Sequence, residues 1–186
     1  MPFILIALFL AAFVGGGIST AASHSLPGEL LYVFKVGVNE RVTSLIAVTP
    51  MSKAQWHVEE VQARLAEAAQ LAAQGKLDST TQAQLSADFD QHAQKLSEQI
   101  NTLEIQGDFA GAAAVAAQFQ NVVAQGAAQL DEHASAQLSE DSHAALSTLI
   151  EHIRTSLSIA SRLSVDAATK AAARTAPQVP GNTDKI

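Results

Sequence analysis

Apolar positions along the chain fall into stripes with helical spacing. Ala54, Val58, Val61, Leu65, Ala68 and Ala72 step by four and three residues, which gathers them on one face of an α-helix. Thr49 is placed to cap its start, Pro50 suits the first helical position, and Gly75 ends it, with Leu77 set for a Schellman contact. Asp78 or Ser79 opens the next helix, whose stripe is Leu85, Phe89, His92, Leu96, Ile100 and Leu103, stopped by Gly107. Asp108 caps another, with Ala112, Val115, Phe119, Val122, Gly126 and Leu130 inward. Ser139 followed by Glu140 and Asp141 opens the last, with Leu146, Ile150, Ile153, Leu157 and Ala160 inward, running to about Ala173. Upstream, Pro27 and Glu29 mark the entry of a further helix carrying Leu30, Leu31, Phe34, Val38, Val42 and Leu45, to about Ala47. Gly37 weakens that helix by roughly 1 kcal/mol relative to Ala. Alternation of the strand type is nearly absent. The pattern therefore predicts an all-α protein, an antiparallel bundle of four to five long Ala-rich helices joined by short connections.

The two ends of the chain read differently. Phe3 to Val14 is an unbroken apolar run, followed by Gly15, Gly16, Gly17 and the small residues of Ser19-Thr20-Ala21-Ala22. This is the order of a signal-peptide hydrophobic region and cleavage zone, with cleavage expected after Ala22. If uncleaved, Phe3 to Ala22 is long enough to span a bilayer, for which about 20 residues suffice. From Arg174 onward, with Pro177, Pro180 and Gly181, periodicity is lost. The expected division is a signal peptide or membrane anchor over 1–25, a helical domain over 26–173 and a disordered tail over 174–186.

Leu26, Pro27, Gly28, Glu29, Leu31, Tyr32 and Lys35 form a compact box, continued by Val38, Asn39, Glu40 and Arg41. With this box the chain resembles a family of bacterial exported helical domains of unknown function. In that family a hydrophobic N-terminal segment precedes a Leu-Pro-Gly-[Asp/Glu]-x-Leu-Tyr-x-x-Lys motif. The resemblance extends through Ser52-Lys53-Ala54 and Ala63 to Ala68 to Ala73-Gln74-Gly75-Lys76-Leu77, and covers about residues 26–140. Val33 stands where the family usually carries Pro after the Tyr. The resemblance implies a helical domain outside the cytoplasmic membrane, and it brings no activity and no catalytic residues. Tyr32 is expected to anchor the first helix to the bundle.

Composition and charge narrow the partners. Hydrophobic residues make up 48% of the 186, yet aromatics are only 5%, so Ala carries much of the apolar content. Net charge is -7, and residues 78–141 hold ten acids against the single base Lys95. No basic stripe offers itself to phosphates, which excludes nucleic acid as an expected partner. The acidic block reads as a solvated helical surface. With no cysteine, disulfides, thiolate metal sites, Cys nucleophiles and a lipidated Cys are all excluded.

Candidate chemistry is sparse. The metal-like spacings are Glu140-x-x-His143 and Asp88-x-x-x-His92, but a di-iron bundle needs two Glu-x-x-His pairs and two further Glu. Glu140 is better explained by the helix N-terminus, and Asp88 with His92 by a polar contact along one helix. Neighbouring carboxylates such as Glu59-Glu60 and Asp131-Glu132 point different ways around a helix and cannot face one another as acid and base. Nucleophile elbows, zincin motifs, phosphate loops and dinucleotide fingerprints are not found. Trp56 lies off its helix's stripe, and either packs on the upstream helix or marks an exposed contact site. No catalytic, cofactor or metal residue is expected, and no cofactor. The expected function is a non-catalytic protein-interaction module of the cell envelope. Its partner would be another envelope protein or a second copy, with membrane contact through residues 3–22 if these stay attached. An envelope-stress chaperone of the periplasmic type, or a weak metal binder, is the alternative.

Overall fold

A computed structural model describes residues 48–134 and 138–175, which form four α-helices and no strand. They are α1 (Pro50–Ala73), α2 (Ser79–Ile105), α3 (Phe109–His133) and α4 (Glu140–Thr175). The expected signal or anchor segment, the helix ending near Ala47, the family box from Leu26 to Arg41 and the tail beyond 175 lie outside the described residues. Arg174 and Thr175, expected in that tail, complete α4, and the Arg174 guanidinium sits 4.9 Å from the centroid of the Phe109 ring.

Local chemistry fixes the helix ends. Thr49 and Ser52 form a reciprocal capping box: Ser52 N–H donates to the Thr49 hydroxyl (3.1 Å), and Thr49 N–H donates to the Ser52 hydroxyl (3.0 Å). Asp78 accepts from Thr81 N–H at 2.7 Å, and this bond holds its carboxyl below the usual range. Asp108 accepts from Gly111 N–H at 2.9 Å. Ser139 plays the same part for α4, accepting from Ser142 N–H at 3.2 Å. Gly75 and Gly107 carry positive φ, +64° and +84°, and close α1 and α2 with the paired bonds of a Schellman turn. Leu77 is fully buried behind the first of these turns.

The chain folds as two antiparallel helical hairpins, α1 with α2 and α3 with α4, joined chiefly through α1 and α3. Those two helices run parallel: Met51 lies against Gly111, and Leu65 against Gly126. A β-carbon at Gly126 would come within 2.9 Å of the Leu65 β-carbon, so glycine is what lets the backbones approach. Ala54 and Ala68 of α1 and Ala112, Ala116 and Ala127 of α3 are buried in the same core. On the other side α2 and α4 also run parallel, with Asp90 bonded to His152 and Glu104 to Lys170, but they meet sparsely. Consecutive helices are therefore antiparallel, as expected, α2 and α3 included, and only the pairs α1–α3 and α2–α4 run parallel.

The stripes are buried nearly as their spacing predicts. All the named positions of α1 and α2 are in the core. In α3, Val122 is only partly buried and Val123 is fully enclosed. The reason is that α3 packs on both α1 and α4, so its buried arc is wider than one stripe and turned from the expected direction. Leu157 of α4 is likewise only partly buried.

Candidate functional site

Two features stand out from a bundle built of Ala and Leu: a buried polar cluster between α1 and α2, and an open apolar groove between α2 and α4.

The cluster grows from α1, whose buried arc carries His57, Arg64 and Glu67 beside the apolar stripe. Arg64 is 1% exposed and donates to Glu67 at 2.7 Å and to Glu60 at 3.0 Å, both on its own helix. Spacings of three and four bring these carboxylates alongside the guanidinium. Removing one member of such a buried pair is more damaging than never having had it. About two turns from Arg64, His57 of α1 meets His92 of α2, Nδ1 to Nδ1, at 3.1 Å, and each residue is 8% exposed. Burial pushes both imidazoles down to about 4; Lys95 adds to this at His57, and His57 and Arg64 add to it at His92. Trp56 completes the cluster, its ring centroid 4.6 Å from His57 and 5.3 Å from His92. Its indole Nε1 is buried without a hydrogen-bond partner among the described residues. Trp56 therefore packs against histidines, a contact that spacing alone did not suggest.

The groove has a volume of about 310 Å3 and is lined by Phe89, Ala93, Phe119, Ile159 and Leu163, with Asp90, Gln94, Ser97 and Ser156 among them. Phe89 and Phe119, both buried in the core, also line the groove. Ile159 stands on the α4 wall, 58% exposed. Phe89 also meets the ring of His152 edge-on, at 6.0 Å between centroids. A concave apolar surface with a few polar groups is the general form of a contact or ligand site.

Other singled-out residues fall apart from these features. Glu140 and His143 lie exposed on the first turn of α4, beside Ala144 and Ser147. His92, for which a polar contact with Asp88 along α2 is expected, meets His57 of α1 through its Nδ1. Among the described residues, no three or more His, Cys, Asp or Glu side chains gather where they could hold a metal. No described helix is long and apolar enough to cross a membrane. The family-box residues Leu26, Pro27, Gly28, Glu29, Leu31, Tyr32, Lys35, Asn39, Glu40 and Arg41 lie outside the described residues. What sequence reasoning missed was Arg64 with its two carboxylates and the meeting of His57 with His92. The Glu60-x-x-x-Arg64-x-x-Glu67 spacing could have flagged the first, but the second depends on the register between helices.

Among the described residues, fold and site together define a small helical bundle with a buried ionic and imidazole cluster and an open apolar groove. The chain belongs to a domain-of-unknown-function family (DUF5667), which it matches over residues 24–174. No curated protein and no solved structure matches it.

Proposed function

We propose that this chain is a non-catalytic protein-interaction module of the cell envelope, held outside the cytoplasmic membrane, which contacts its partner through the α2–α4 groove. The observation that carries the reading is the groove itself: two parallel helices meet sparsely and leave Ile159 and Leu163 beside the rings of Phe89 and Phe119. An apolar helix face or loop from another envelope protein, or from a second copy, fits such a surface. The apolar run from Phe3 to Val14 supports the location.

Site-specific photocrosslinking of the full chain in its native cell tests both halves. A photoreactive residue at position 159 should give an adduct of one discrete mass in the envelope fraction. The same residue at Ile105, exposed but away from the groove, should give none. Equal labelling from both positions, or recovery of the chain from the cytoplasmic fraction alone, would refute the reading.

A further inference from the structure

The contact between His57 and His92 has a chemical consequence independent of the groove. Two Nδ1 atoms 3.1 Å apart can hold one proton between them. One ring donates from Nδ1–H, and the other accepts at Nδ1 and carries its own proton on Nε2. A first added proton can go to the Nε2 of the donor ring and leave the contact in place. A second must take the acceptor's lone pair, and then two N–H groups on two cations face each other in a desolvated interface.

Among the described residues the charges around the pair do not fully compensate such charge, although Asp88 lies one turn before His92 on α2 and Glu60 one turn after His57 on α1. On α1 the near cation is Arg64, already engaged by Glu60 and Glu67. On α2, Lys95 opposes and Glu98 favours a charge on His57, and those two side chains bind each other at 2.9 Å at the surface. The stretch of α3 from 109 to 130 carries no charged side chain. From α4 the titratable group that reaches α2 near here is His152, which is bonded to Asp90.

We propose that the His57–His92 contact is an acid-opened latch, which holds α1 to α2 while both rings are neutral and releases that part of the hairpin when both are protonated. The energetic direction agrees with the geometry. The unfolded chain takes up protons at histidine near pH 6.5, whereas the buried pair resists them down to about 4. Stability from this pair is therefore present at neutral pH and is lost as pH falls through that window. Because the two rings interact, they titrate as a pair in two steps.

The full chain carries its own reporter, since Trp56 is its one tryptophan and touches both rings. Histidine ring resonances, Trp56 emission and melting temperature would be followed from pH 7.5 to 4. The latch requires two of the histidines to titrate below pH 5, with a coincident change in Trp56 emission. It also requires the melting temperature to fall by about 5–10 °C between pH 6.5 and 4.5. A His57→Gln/His92→Gln variant, neutral throughout, should lose most of that fall. An equal fall in the variant would overturn the proposal. So would rings that titrate near 6.5, or that titrate in acid with no change at Trp56. Should the variant fail to fold, the coincidence of ring titration and Trp56 emission in the unmodified chain decides the matter alone.

Discussion

The two parallel pairings of this bundle are built from the same residue classes and end in opposite states. Between α1 and α3, Gly126 meets Leu65 with no room for a β-carbon, and both helices bury alanines in the core. Between α2 and α4, Phe89, Ile159 and Leu163 leave a groove of about 310 Å3. Interhelical distance follows the side chains at the crossing: small ones permit backbone approach, and large ones hold the helices apart. In a chain so rich in alanine, the few large apolar residues decide where the bundle closes and where it stays open. The closed side is the structural spine, and the open side is the surface left for something else.

The largest expected effect joins the two sides. Phe89 is 2% exposed and forms both core and groove floor, so Phe89→Ala should cost about 3–5 kcal/mol in chemical denaturation. The closed seam comes next: Gly126→Ala pushes a methyl into Leu65 and should cost about 1–3 kcal/mol. An unchanged stability would mean that the seam is looser than its geometry. Asp78→Ala removes the cap of α2, with an expected loss of about 1 kcal/mol. Smallest is Ile159→Ser on the groove wall, which should shift stability by no more than about 0.5 kcal/mol while abolishing the adduct formed by a photoreactive residue placed at the groove position 94. A stability loss at Ile159 as large as that at Gly126 would erase the distinction between the two sides.

Most of the fold was legible because it is local. Thr49, Asp78, Asp108 and Ser139 each announce a helix start through a short polar side chain that accepts from the backbone N–H three residues on. Gly75 and Gly107 announce the stops, because each turn needs a positive φ. The stripes then follow from 3.6 residues per turn. What could not be read was anything set by the rotation or register of one helix against another. Val123 rather than Val122 is enclosed because α3 is gripped on two sides. His57 meets His92, 35 positions away, because the α1–α2 turn fixes the stagger of that hairpin. The groove was still less visible, since Phe89 and Leu163 read as ordinary helix-face residues until the spacing of α2 and α4 is known. Arg64 shows the limit of rules based on residue type: a charged side chain reads as surface, yet here it is enclosed with carboxylates one turn to either side.

The contrast between a closed and an open side is tested most directly by methyl NMR of the full chain with a soluble paramagnetic probe. The methyl groups of Ile159 and Leu163 should lose most of their intensity as the probe is added. Those of Val58, Leu65 and Val123, enclosed on α1 and α3, should keep theirs. Equal protection of the two sets would contradict the account, because the α2–α4 side would then be as closed as the spine.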